Sequence, residues 1–113
     1  MSDSSFESMV QAVQAFHDKH DFKAKGGEDL IYRVGLMSEE LGEIAAAVTK
    51  GKGQDALAEE CADLFILIMG TAIAADFDLA QAFWAKMDEL MGRSGKMIDG
   101  RIRVSRFRDE DAS

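Results

Sequence analysis

The chain has 113 residues and a mass of 12.4 kDa, so its length predicts one domain, residues 1–113. A chain this long buries roughly two-thirds of its unfolded surface, and 47% hydrophobic with 30% charged residues describes a globular protein, not a disordered one. Thirteen basic residues against 21 acidic ones leave a net charge of −8, which argues against nucleic-acid backbones and anionic membranes as partners. The single cysteine, Cys61, excludes an internal disulfide framework, and the start Met1-Ser2-Asp3-Ser4-Ser5 lacks the basic and apolar segments of a secretory signal. Both point to a reducing, cytoplasmic location.

Proline is absent, which favours uninterrupted helices. Phe6, Met9, Val10, Val13 and Phe16 form one stripe of an amphipathic helix over 5–19, capped by Ser4 or Ser5 with Glu7 in its first turn. Residues 20–28, with Gly26-Gly27, read as a loop. A second helix, about 28–49, carries a core stripe of Leu30, Val34, Met37, Leu41, Ile44 and Val48, and Lys50-Gly51-Lys52-Gly53 stops it. The third, about 54–75, is apolar almost all round from Cys61 to Ala75, broken by Asp63 and Thr71. It is too short and polar to span a bilayer. A helix apolar on every side must be covered on every side, so a second subunit is expected to complete the core. The same apolar setting makes Cys61 an inert, buried thiol.

Asp76-Phe77-Asp78 breaks the pattern, and Asp78 caps a fourth helix, about 79–91, with the stripe Leu79, Phe83, Met87 and Leu90. The neighbours Phe83 and Trp84 face different ways, one of them into the core. Residues 96–104 alternate around Asp99-Gly100, the signal of a β-hairpin with a type I′ turn. Asp109 to Ser113 read as a frayed tail.

The chemistry lies in the carboxylates. Glu40 and Glu43 stand about 60° apart at the edge of the second helix's stripe, and Glu60 and Asp63 do the same on the third. Two antiparallel helices joined by a short loop bring the pairs to one cleft. Two like charges ~4 Å apart repel by roughly 4 kcal/mol at an effective dielectric near 20. Four such groups are destabilising, or partly protonated, unless a cation joins them. Oxygen ligands favour Mg²⁺ or Mn²⁺. No His follows these Glu residues at i+3, so the di-iron carboxylate pattern is missing. The bland alternative is a pair of solvated faces.

The sequence EExxE at Glu39, Glu40 and Glu43, followed by ExxD at Glu60 and Asp63, resembles the all-α nucleoside triphosphate pyrophosphohydrolases. These are the MazG-like enzymes, with relatives among phosphoribosyl-ATP pyrophosphatases and dimeric dUTPases. The stretch Phe16 to Phe22, the run Leu30 to Leu41 and the closing Gly95 to Arg101 hairpin are also similar to that family, so the resemblance spans about residues 10–107. It implies a four-helix MazG-like bundle with a short C-terminal β-hairpin, completed by oligomerisation as a homodimer or homotetramer. It implies Mg²⁺-dependent cleavage of a nucleoside triphosphate to monophosphate and pyrophosphate, for cleaning the nucleotide pool. The implied metal ligands are Glu40, Glu43, Glu60 and Asp63.

Around that set stand further candidates. Glu39 is either a general base or a plain surface residue, and Glu59 faces solvent. Arg33, two turns before Glu40, either neutralises a phosphate or pairs with Glu40. Lys86 either faces the phosphates or snorkels, and Leu90 departs from the Asn that some members carry there. Phe22 is a candidate to stack on a base. His17 and His20 are too remote from the acidic motifs to be ligands. Arg93, Lys96, Arg101, Arg103, Arg106 and Arg108 oppose only Asp99 within 93–108, and would cover either a neighbouring subunit's acidic body or bound polyphosphate. The alternative to an enzyme is a non-catalytic helical oligomer with a structural cation site.

Overall fold

The computed structural model describes residues 5–105. They form four helices and a hairpin: α1 (Phe6–Lys19), α2 (Leu30–Thr49), α3 (Gln54–Ala75), α4 (Leu79–Met91), β1 (Gly95–Ile98) and β2 (Arg101–Val104). The fold is all-α with a small antiparallel C-terminal hairpin. The chain divides into two compact units, Met1–Phe77 and Asp78–Ser113. The tail from Asp109, Arg106, Arg108 and the alternative cap Ser4 lie outside the described residues.

Side chains start three of the helices, α1, α2 and α4. Ser5, Asp29 and Asp78 accept hydrogen bonds from the backbone N–H of Ser8, Tyr32 and Gln81. Asp29 is why α2 begins at Leu30 instead of 28. Left-handed residues end three of them. Past α2, Lys52 N–H donates to the Ala47 carbonyl and Gly51 N–H to Val48, with Gly51 at φ +61°. The same 6→1 bond runs from Phe22 to His17 after α1 and from Phe77 to Ala72 after α3, with Asp21 and Asp76 at φ 52° and 59°. A non-glycine residue there carries strain. Asp76→Gly should therefore raise stability by about 0.5 kcal/mol, seen as a small upward shift of the thermal melt.

The first unit packs α2 antiparallel on α3: Arg33, early in α2, bonds Leu67 and Thr71 late in α3, whereas Glu40, further along α2, meets Glu60 and Asp63 earlier in α3. Its buried apolar residues, among those described, are few: Val13, Ala47, Met69 and Ala72. The covered line of α2 runs through Arg33, Leu36, Met37, Glu40, Ile44 and Ala47. This corrects the expected stripe: Leu30, Val34, Leu41 and Val48 are all exposed in the single chain. The line facing α3 is turned by about one residue, and that turn carries Glu40 from the edge of the stripe into it. Phe16, also expected in the core, is 46% exposed. Cys61 is exposed, not buried, because no described residue covers that side of α3.

In the second unit Phe83 and Trp84 are both exposed, so neither is core, and their rings meet edge to face at 5.0 Å. The turn between β1 and β2 has Asp99 at φ 52° and Gly100 at φ +77°, the two positive values that a type I′ turn requires. No helix among the described residues is long and apolar enough to cross a membrane.

Candidate metal centre and adjoining cleft

Antiparallel packing sets the acidic positions of α2 against those of α3. Glu40, Glu60 and Asp63 each offer a carboxylate oxygen, and these atoms all lie within 4.8 Å of one another. Glu40 Oε2 is buried and has no hydrogen-bond partner. A buried acceptor left alone is costly and calls for a partner.

Electrostatics carries the same message. Burial first, then the charges of Asp63, Glu43 and Glu39, push the Glu40 carboxyl above its ordinary value. Glu60 is pushed up by burial, by a hydrogen bond with Asp63, and by the charges of Glu40, Glu43 and Asp63. Glu43 itself is exposed, and it acts on the other carboxylates through its charge. Glu39 is exposed and stands beside Glu40. A group of close carboxylates with an unpartnered buried oxygen suits a hard divalent cation, which takes oxygen ligands and neutralises the repulsion.

Raised carboxyl values have a definite sign. The folded state holds these protons more tightly than the unfolded chain, so their contribution to stability falls as pH rises from about 4.5 through the raised values. The metal-free protein should melt lower at pH 7 than at pH 5, and saturating Mg²⁺ should remove that loss by binding the ionised form. A melting temperature indifferent to Mg²⁺ at pH 7 would sink the cluster as a cation site.

Arg33 is elsewhere. It is 1% exposed, and its donors are engaged within the protein. Nε donates to Thr71 Oγ1 at 3.1 Å, Nη1 to the Gly27 carbonyl at 2.9 Å, and Nη2 to the Leu67 carbonyl at 2.9 Å. Its hydrogen bonds therefore go neither to Glu40 nor outward; the side chain ties the α1–α2 loop to α3. Burial lowers its pKa, and the charge of Glu28 partly opposes that. His17, 3% exposed, lies beside it, with Nδ1 3.3 Å from Glu28 Oε2. Gly70 makes this crossing possible, because a Cβ there would land on the Arg33 guanidinium and 2.7 Å from His17 Nε2. Lys86, in the second unit, donates to Glu89 Oε2 at 2.6 Å, and Arg93 donates to Oε1 at 2.7 Å. These two cations, Lys86 foremost, hold the Glu89 carboxyl down to about 2.

A cleft of about 600 Å³, not foreseen from the sequence, opens in the first unit. Phe16, His20, Phe22 and Tyr32 wall it, Lys25 adds a cation, and Leu36 and Leu67 also line it. The Phe16 ring meets His20 at 4.9 Å and Phe22 at 5.3 Å. Gly27 lets Phe22 close over the loop, since a Cβ there would fall 2.6 Å from the ring. Leu36 is one turn before Glu40 and Leu67 one turn after Asp63, so the edge of the cleft that these two residues line begins about one helical turn from the carboxylates. The available signal was the aromatic cluster Phe16, His20 and Phe22, of which the sequence offered Phe22 as a base-stacking residue.

A family model described as phosphoribosyl-ATP pyrophosphohydrolase matches residues 5–89. No curated protein and no solved structure matches the chain.

Proposed function

The chain belongs to the phosphoribosyl-ATP pyrophosphohydrolase family, a family of pyrophosphohydrolases acting on nucleotide-like substrates, and from that premise we propose that it hydrolyses (deoxy)nucleoside triphosphates to nucleoside monophosphate and pyrophosphate. The observation that carries this reading is the carboxylate trio Glu40, Glu60 and Asp63 with its unpartnered buried oxygen. Those three, with Glu43 alongside, are the residues that would hold Mg²⁺, or Mn²⁺ in its place. When bound, such an ion withdraws charge from phosphate oxygens and makes a water more acidic.

The protein's own residues do the rest. Glu39 accepts the proton of the attacking water as the bond to the bridging oxygen breaks and pyrophosphate leaves. The aromatic cleft one turn away takes the base, whose flat face suits Phe16, Phe22 and Tyr32. Arg33 acts as a strut: it fixes the loop that carries the cleft, which it also lines. For Lys86 as a phosphate ligand, the bond to Glu89 leaves two N–H donors available.

The exposed apolar residues of α2, α3 and α4 support a homodimer or homotetramer. Net negative charge supports an enzyme with neither nucleic acid nor membrane as partner, the single cysteine supports a reducing, cytoplasmic location, and the chain works as one functional domain, residues 1–113.

The test is a panel of ribo- and deoxyribonucleoside triphosphates, with phosphoribosyl-ATP as a further member, incubated with Mg²⁺ and assayed for pyrophosphate. Release from at least one triphosphate, abolished by chelation, is expected. Release from phosphoribosyl-ATP alone replaces the substrate while keeping the chemistry. No release from any member leaves the non-catalytic oligomer with a structural cation.

A further inference from the structure

The C-terminal hairpin has two unlike faces. Its register pairs Lys96 with Arg103, Ile98 with Arg101, Met97 with Ile102 and Gly95 with Val104. Directly paired residues share a face and successive residues alternate. Lys96, Arg103 and Arg101 therefore stand with Ile98 on one face, and Met97, Ile102 and Val104 on the other. Every strand residue is exposed, Met97 and Ile102 by 63% and 65%. A lone two-stranded hairpin is marginal in water. The Met97–Ile102–Val104 face calls for an apolar surface, and Arg101 and Arg103 suit an acidic one.

The first unit supplies both properties. Residues 5–77 hold 13 acidic against 6 basic residues. Along α2 the same body leaves Leu30, Ile31, Val34, Leu41 and Val48 exposed. An acidic body with an uncovered apolar stripe is complementary in charge and in polarity to a basic, amphipathic hairpin.

We propose that the hairpin is an intersubunit clasp: its Met97–Ile102–Val104 face covers part of the α2 stripe of a second copy of this chain, while Arg101 and Arg103 pair with acidic residues of that copy. The clasp rests on the homo-oligomer reading above, and adds to it which element joins the copies and what it grips.

The test places a photo-crosslinking amino acid at Met97 in the full chain, in an equilibrated equal mixture of ¹⁴N- and ¹⁵N-labelled protein. Mixed-isotope crosslinks mapping to residues 30–49 are expected. Crosslinks confined to single-isotope chains place the hairpin on its own chain and overturn the clasp, and mixed crosslinks that avoid α2 overturn its docking surface. Two variants, Ile102→Asp and the pair Arg101→Glu with Arg103→Glu, should each weaken self-association at least tenfold by light scattering, with helical circular dichroism unchanged. Salt at about 0.5 M should weaken the unmodified protein's association in the same direction. A multimer indifferent to both variants overturns the clasp and leaves the oligomer standing. A chain monomeric at working concentration overturns both, and neither result touches the pyrophosphate assay.

Discussion

Glu40→Gln should lower pyrophosphate release by roughly a thousandfold and at the same time raise the melting temperature of the metal-free protein. The two effects have one cause. Glu40 lies in the covered line of α2 and has Asp63, Glu43 and Glu39 as like-charged neighbours. A neutral amide relieves that repulsion, so the metal-free fold gains. It also removes an anionic ligand and a buried acceptor, so the cation is held less tightly and the substrate's phosphates lose their counter-charge. The stabilisation by saturating Mg²⁺ should shrink with activity. Asp63→Asn should behave alike. Glu59→Gln, on the exposed side of the same helix turn, should leave both readouts near those of the unmodified chain. Glu39→Gln separates two roles: a general base lost from beside the site lowers kcat and spares the Mg²⁺ shift, whereas a surface glutamate alters neither. Full activity in Glu40→Gln would remove the carboxylates from the reaction.

Gly70→Ala should destabilise the protein by about 3 kcal/mol, which lowers the melting temperature of a domain this size by roughly 10–20 °C. Adding one methyl group elsewhere on an apolar helix costs far less. Here the new Cβ would displace the Arg33 guanidinium from the Leu67 and Thr71 oxygens and push into the His17 ring. A buried cation that loses its acceptors is among the costliest single faults a core can carry. The α1–α2 loop hangs on the same arginine through Gly27, so residual folded protein should show a raised KM for nucleotide before any fall in kcat. Gly35→Ala is the control, because a Cβ there meets nothing within 4 Å. Equal melting of the two variants would show that Arg33 is not the strut its hydrogen bonds describe.

Local chemistry made much of the fold readable. Asp78, Gly51 and Asp99-Gly100 act through their own backbone neighbourhood: a side-chain cap, a left-handed helix end and a type I′ turn. Such signals need no knowledge of the rest of the chain. The acidic i,i+3 spacing is equally local, since a helix turns about 100° per residue whatever surrounds it. A long-range arrangement leaves fainter traces. Arg33 reads from sequence as a phosphate ligand or a partner of Glu40, because no other acceptor is visible near it on the helix. Two of its acceptors are the main-chain carbonyls of Gly27 and Leu67, which carry no residue identity, and the third is the Thr71 hydroxyl 38 residues away. Cys61 and Phe83 read as core because apolar neighbours suggest burial, yet burial depends on which faces other elements reach.

By itself, then, the chain's order of residues determined four helices, a hairpin, an acidic character and the two carboxylate pairs, all consequences of periodicity and composition. Tertiary structure alone decided that α2 presents Glu40 squarely to α3, that three carboxylates converge within 4.8 Å, and that an aromatic cleft opens one turn along the groove. The rotation of a helix about its axis is chosen by what packs best against it. In this chain a buried arginine seated over Gly70 fits that choice, and a count of apolar residues along α2 does not contain it.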